Sequence, residues 1–103
     1  MRETVNLKIR NDSRALEMEK LLGSKARLRI LRLFAKHPDH AFTQYRICQV
    51  TGLKRQVASK HVRKLLERGL IISRGGAIVR YYFNTNYDQA DALREFFSKI
   101  SLT

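Results

Sequence analysis

Cysteine, long apolar runs and acidic residues are all scarce in this 103-residue chain. Its single cysteine, Cys48, excludes an intramolecular disulfide and a metal or redox site of the CxxC type. No apolar run approaches the roughly 20 residues that a membrane-spanning helix requires. The amino terminus, with Glu3 and Asn6, lacks the hydrophobic region of a signal peptide. We therefore expect an intracellular, cytoplasmic protein without a membrane partner.

The residue groupings that enzymes use are missing as well. The sequence shows no nucleophile with an adjacent base, no paired carboxylates in an apolar setting and no glycine-rich phosphate loop. His37 and His40 flank Pro38 and Asp39, but a metal site requires three or four ligands in a fixed geometry. Cys48 falls on a separate predicted helix, where a lone thiol behaves as a small apolar group. The sequence predicts no enzymatic activity, no metal site and no cofactor.

Acidic residues number nine against 21 lysines and arginines, which gives a net charge of +12. A chain of this length has room for one domain, residues 1–103, with one modest core. The charge is uneven, since residues 23–36 carry +5, residues 54–80 carry +7 and the remainder sums to zero. Such concentration favours a binding footprint for an anionic partner over a uniformly solubilising surface.

The amino-terminal third predicts an extended segment followed by two helices. Residues 4–10 alternate between apolar and polar side chains, so the segment 1–12 fits either a strand or a loose arm. A first helix is expected over 14–22 and a second over 25–36, with Ser24 as its cap. The second helix has an apolar face and a basic stripe, and the stripe fits either a solvated face or flanking phosphate contacts. The apolar face contains Ile30, Leu31, Leu33 and Phe34, and the stripe contains Lys25, Arg29, Arg32 and Lys36.

The middle of the chain has the pattern of a helix-turn-helix. A short helix over 44–50, capped by Thr43, ends at Thr51 and Gly52, and a longer helix over 54–69 follows. At 100° per residue, one side of the longer helix is apolar, with His61 at its margin. The apolar stripe consists of Ala58, Val62, Leu65 and Gly69. His61 is interpreted either as a packed histidine bridging helices or as a phosphate contact.

The other side of the longer helix carries donors suited to a nucleic acid. Its residues are Lys54, Arg55, Gln56, Ser59, Lys60, Arg63 and Lys64. Arginine, lysine and glutamine can donate both to phosphates and to base edges, so the pattern predicts a recognition helix in a DNA major groove. Residues 70–84 then form a hairpin around Gly75 and Gly76, with Arg74 and Arg80 placed to contact a phosphate backbone or a minor groove. Val79, Tyr81 and Phe83 share one face and are expected to pack inward.

The carboxy-terminal segment, residues 88–102, predicts a last helix from Asp88 to Ser101. Its apolar stripe consists of Leu93, Phe96, Phe97 and Ile100. In so short a chain these side chains fit either a core within the subunit or a dimer formed with the first helix. We predict a homodimer, because paired helix-turn-helix units read symmetric half-sites.

Three stretches resemble the winged-helix transcriptional regulators of the ArsR-like group, with MarR-like regulators as more distant relatives of the same architecture. They are Leu22–Leu31, Val57–Leu65 and Gly69–Ile71, and the resemblance extends over about residues 14–84. It implies a mainly α fold with a small β-hairpin wing, sequence-specific binding of double-stranded DNA, a nucleoid-associated protein and usually a homodimer. The paired cysteines or the His and Asp clusters of metal-sensing members are missing, so the resemblance does not extend to metal sensing.

The resemblance also assigns roles to individual positions. Base-reading and phosphate-contacting places fall on Gln56, Ser59, Lys60 and Arg63 in the helix, with Arg74 and Arg80 on the wing. Two alternatives stay open: a winged-helix module that binds another protein, and an architectural protein that binds DNA without sequence preference. The sequence indicates neither an operator nor a small effector.

Overall fold

A computed structural model describes residues 23–99, which contain four helices and one two-stranded antiparallel sheet. The elements in chain order are α1 (Lys25–Lys36), α2 (Gln44–Thr51), α3 (Arg55–Glu67), β1 (Ile71–Arg74), β2 (Arg80–Phe83) and α4 (Ala90–Lys99). The predicted arm over 1–12, the predicted helix over 14–22 and Ile100 lie outside the described residues.

The helix starts follow from capping residues in the sequence. The Ser24 hydroxyl accepts a hydrogen bond from the Arg27 amide at 3.2 Å and caps the start of α1. The Thr43 hydroxyl does the same for Arg46, also at 3.2 Å, and begins α2. Each cap satisfies one of the four amides that a helix start leaves without an intrahelical partner. Both predicted caps are confirmed.

The turn between α2 and α3 is closed by Gly52, whose φ of 76° lies in the left-handed region. Its amide donates to the Cys48 carbonyl at 2.9 Å, and the half-buried Leu53 packs against the core. The Thr51 hydroxyl donates to the Ile47 carbonyl at 2.6 Å and accepts the Leu53 amide at 3.3 Å. These bonds hold the turn that sets the angle between the two helices.

α3 is two residues shorter at its carboxyl end than the sequence predicts. The Gly69 amide donates to the Leu66 carbonyl at 3.1 Å and the Leu70 amide to the Leu65 carbonyl at 3.0 Å, which closes the helix before Gly69. Gly69 therefore lies in the turn before β1 and is not part of the apolar stripe. Ala58, Val62 and Leu65 are buried as predicted.

One apolar core joins all these elements. The side chains of Ile30, Leu31 and Phe34 on α1 are fully buried among those of α2, α3, the sheet and α4. Burying a side chain of this size contributes about 1.5–3 kcal/mol relative to leaving it in water. The ring of Phe42 contacts that of Phe34 edge to face, with centroids 5.3 Å apart. The core therefore fixes the position of α3 relative to α1 and the sheet.

The sheet is a hairpin in which Ile71 pairs with Phe83 and Arg74 with Arg80. Asn84 closes its base, donating from its amide to the Leu70 carbonyl and from its side chain to the Gly69 carbonyl. Phe42 adds a single antiparallel bridge to Tyr81. With this hairpin after the helix-turn-helix, the fold is the predicted winged helix-turn-helix.

The prediction for the inward face of the hairpin is wrong at one position. Phe83 is buried and Tyr81 is half-buried, but Val79 is 41% exposed. The reason is that β2 begins at Arg80, so Val79 belongs to the tip, beyond the part of the hairpin that covers the core.

Candidate nucleic-acid interface

α3 lies with one side in the core and the other in solvent. Ala58 and Leu65 have no exposed surface, and Val62 is 2% exposed, where the helix packs on α1. The spacing of these residues leaves the opposite side turned away from the protein. We call the residues of that side, together with the first turn, the cationic face: Lys54, Arg55, Gln56, Ser59, Lys60, Arg63 and Lys64.

Six of the seven residues of the cationic face are exposed, and Ser59 is half-buried. Several of them line an open groove of about 560 Å³. The groove residues are Gln44, Arg55, Gln56, Ser59, Lys60 and Arg63. None of them is acidic, so the groove offers cations, amides and a hydroxyl to an anionic partner. The structure thus brings the helix residues of the predicted site together on one accessible surface.

The start of α3 adds to the positive charge. Lys54 occupies the cap position, its side chain makes no capping hydrogen bond, and the first turn contains no acidic residue. The partial positive charge of a helix amino terminus is therefore not offset by a side chain of the helix itself. A phosphate placed here would meet both the helix end and the side chains of Lys54 and Arg55.

Two residues of α2 were missed by the sequence reasoning. Gln44 lines the groove beside the cationic face, and it also lines a neighbouring cavity of about 380 Å³ with Tyr45, Cys48 and Arg55. Tyr45 is 73% exposed, unusually open for a large aromatic side chain. The available signal was their position, since both follow the Thr43 cap at the start of the first helix of the helix-turn-helix.

Arg74 and Arg80 lie on the hairpin as predicted. They face each other directly in the register of the two strands, and both are exposed. The Arg74 guanidinium lies over the Tyr82 ring, 5.3 Å from its centroid. The hairpin packs against α3 through β1.

His61 is a packing residue and not part of the exposed face. It is 7% exposed, and its Nδ1 accepts a hydrogen bond from the Arg27 Nε at 3.3 Å. Burial lowers the pKa of His61 below its usual value near 6.5, and the charges of Arg27 and Lys60 lower it further. An imidazole that accepts at Nδ1 is neutral, so the bond and the direction of the pKa shift agree.

The basic stripe of α1 has at least one structural member. Arg29 donates from its guanidinium to the Thr51 carbonyl at 3.1 Å and so ties α1 to the turn before α3. Arg29 also lines a cavity of about 460 Å³ with Lys36, His37 and Val50 among others. The stripe therefore contributes to holding the helix-turn-helix, whatever else its cations contact.

The residues predicted for a dimer interface differ in accessibility. Leu93 is 2% exposed and Phe97 is fully buried, so both already pack within the subunit. They have no surface left for a partner, because α4 uses them to pack on α1. Phe96 is 42% exposed, and its ring contacts that of Phe97 edge to face at 5.1 Å.

Within residues 23–99, no three His, Cys, Asp or Glu side chains are grouped to hold a metal ion. His37 and His40 contact each other and Phe42 through their rings, with centroids 5.6 Å apart for the histidine pair. Over the same range, none of the helices has the length and apolar character needed to cross a bilayer.

Comparison with known proteins identifies a family that shares the helix-turn-helix region of this chain. A family model described as "MarR family" matches residues 24–77, which is more than half of the chain. The match includes α1, α2, the whole cationic face and β1. No curated protein gives a significant match.

Three solved structures are similar to the chain along most of their length. Reduced HlyU from Vibrio cholerae is 19% identical, with 95% of this chain and 99% of that chain covered and a TM-score of 0.73. A predicted DNA-binding transcriptional regulator from E. coli is 22% identical, with 93% and 97% covered and a TM-score of 0.69. The transcriptional repressor PagR of Bacillus anthracis is 25% identical, with 80% and 91% covered and a TM-score of 0.62.

Proposed function

The chain belongs to the MarR family, and from that premise we propose that it is a sequence-specific transcriptional regulator that binds double-stranded DNA through α3. The observation that supports this most directly is the two-sided character of α3. Its apolar side is in the core, and its cationic face is exposed around an open groove. A helix held in this way can enter a DNA major groove without losing its packing.

The residue types of the cationic face support reading of sequence. Gln56 and Arg63 can each form paired hydrogen bonds to base edges, glutamine with adenine and arginine with guanine. Ser59 is half-buried and lines the same groove, and its hydroxyl can donate or accept. A purely electrostatic binder would need none of this variety, so the mixture favours specific over architectural binding.

The remaining cations are assigned to the phosphate backbone. Lys54 and Arg55 lie at the start of α3, Lys64 lies near its end, and Arg74 and Arg80 lie on the wing. Contacts to phosphates position a protein on the duplex and make binding salt-dependent, but they carry no sequence information. This division of labour gives the two groups of residues different expected phenotypes.

A homodimer is part of the proposal. Symmetric half-sites about one helical turn apart would be read by two copies of α3 related by a twofold axis. Phe96 supports an interface on α4, because it is the one large apolar side chain that α4 exposes within the described residues. The four residues first predicted for the interface are thereby reduced to Phe96 and, beyond the described range, Ile100.

Finer assignments stay predictions. The family match is to the MarR family, so the ArsR-like subgroup inferred from residues 22–31, 57–65 and 69–71 remains a hypothesis. A cytoplasmic, nucleoid-associated setting follows from the proposed function and is likewise a prediction.

The decisive experiment is selection of bound fragments from a random double-stranded DNA pool, followed by anisotropy titrations of the consensus and of scrambled duplexes at several salt concentrations. We expect a palindromic consensus that binds at least about a thousandfold more tightly than random DNA. Equal affinity for both at every salt concentration would instead establish an architectural protein. No DNA affinity at low salt, with capture of an acidic protein partner, would establish a protein-binding module.

A further inference from the structure

The tip of the hairpin, residues 75–79, exposes apolar side chains where the fold has no need of them. Ile78 is 56% exposed and Val79 is 41% exposed. Neither belongs to the core or to the set of half-buried residues that pack against it. These two adjacent branched aliphatic side chains form a small apolar point at the tip of the hairpin.

The backbone holds this point in place. Gly75 has a φ of 116°, and a Cβ built at Gly75 would collide with the carbonyl oxygen of Ile78. Only glycine allows the end of β1 to approach Ile78 so closely. Ile78 therefore has a defined position relative to the strand that carries Arg74.

The charges around the tip are all of one sign. Arg74 and Arg80 face each other across the strands, directly beside the tip. Like charges opposite one another destabilise a strand pair. No acidic residue occurs anywhere from Arg68 to Tyr87, so the sequence of the hairpin supplies no counter-charge of its own. The arrangement is one that an external polyanion would stabilise.

We propose that Ile78 enters the DNA minor groove as an apolar wedge, with Arg74 and Arg80 on the phosphates at either side, so that binding partially unstacks a base step and bends the duplex. This rests on the proposed function and extends it from binding to deformation. Aliphatic side chains inserted from the minor groove unstack steps in this way. A partner protein is the less favoured ligand, because an apolar point between two arginines matches a groove with phosphates on both edges.

The test measures DNA shape and affinity separately on the selected duplex. Binding of the full chain to an end-labelled duplex is followed by energy transfer between the ends, and 2-aminopurine placed at successive flanking positions reports unstacking. We expect the unaltered protein to shorten the end-to-end distance and to raise 2-aminopurine fluorescence at one step beside each half-site.

Ile78→Ala should abolish the fluorescence increase and most of the bend, and should weaken binding roughly three- to thirtyfold. The affinity of this variant should depend on salt concentration as that of the parent does, because no phosphate contact is lost. Arg74→Gln should instead keep the fluorescence increase and reduce the slope of log affinity against log salt by about one. Val50→Ala is the matched control, since Val50 is also an exposed branched aliphatic residue, at 48%, but lies on α2. It should behave as the unaltered protein.

Each outcome bears on the proposal in a known direction. Specific binding with no bend and no fluorescence change, or an Ile78→Ala variant that deforms DNA as fully as the parent, overturns the wedge and leaves the proposed function standing. Absence of any DNA binding overturns both. Equal melting temperatures of Ile78→Ala and the parent show that a loss of deformation does not come from unfolding.

Discussion

Individual side chains of α3 differ in what they can offer to a duplex, and this difference can be measured. Gln56 and Arg63 are exposed beside a groove free of acidic residues. Replacing either by alanine should remove about 1–3 kcal/mol of discrimination at one base position, because a paired hydrogen bond to a base edge is lost. Selection from random DNA with each variant should show a relaxed consensus at that position.

Arg74→Ala and Arg80→Ala serve as the contrasting pair. Their loss should weaken all sequences alike and reduce the slope of log affinity against log salt by about one, since each removes a phosphate contact and no base contact. If all four variants weaken random and consensus DNA equally, the division into base-reading and phosphate-contacting residues is wrong.

His61 gives stability a dependence on pH. Because burial and neighbouring cations lower its pKa in the folded state, the unfolded chain binds the proton more readily. The free energy of unfolding should therefore fall as the pH drops from about 6.5 through the lower pKa of the folded state. Urea unfolding at several pH values should show this decline.

The His61→Gln variant is the control for that titration, because it removes the titrating group but keeps a side chain that can accept from Arg27. Its stability should vary less over the same pH range, and the difference between the two curves isolates His61 from His37, His40 and the carboxyl groups. Parallel curves would show that His61 is not responsible.

At the scale of secondary-structure elements, the turn between α2 and α3 sets the angle at which α3 presents the cationic face. Gly52 has a left-handed backbone, and a Cβ at this position would meet open space. Gly52→Ala should therefore destabilise the fold by about 1 kcal/mol through backbone conformation alone. Chemical denaturation measures this cost.

Gly76→Ala is the matched control for Gly52→Ala. Gly76 also has nothing near its would-be Cβ, and its φ is not positive. Its stability should lie within about 0.5 kcal/mol of the parent. A similar loss in both variants would mean that exposure of the glycine, and not its conformation, sets the cost.

At the scale of the whole molecule, α3 and the wing form the proposed DNA-binding side, and α4 exposes Phe96. Nearby charges on α4 are largely paired within the helix, as Arg94 with Asp91 and Lys99 with Glu95. Phe96→Glu should weaken the proposed homodimer roughly tenfold or more, because a charge would replace an apolar contact of the proposed interface. Sedimentation equilibrium measures this change.

Val50→Glu is the matched variant for the dimer test, since it places the same charge at a comparably exposed position on α2. It should leave the association unchanged. If the Phe96→Glu protein stays dimeric and retains its melting temperature, α4 is not part of the interface. If the parent is monomeric at all concentrations, the proposed homodimer is wrong.

Local features of the sequence were sufficient for the element types, the caps and the orientation of α3. Ser24 and Thr43 each cap a helix by accepting a hydrogen bond from the backbone amide three residues later. The spacing of Ala58, Val62 and Leu65 places these three residues on one face of α3. The cationic face follows by exclusion, because residues opposite a buried stripe must face outward. Such information depends on neighbours within a few positions along the chain.

Contacts between distant segments were decided only by the tertiary structure. His61 meets Arg27, 34 residues away, and Arg29 meets the Thr51 carbonyl, 22 residues away. Leu93 and Phe97 turned into the core while Phe96 and Val79 did not. Periodicity defines a face but not what covers it, because that depends on which elements pack together and where each one ends.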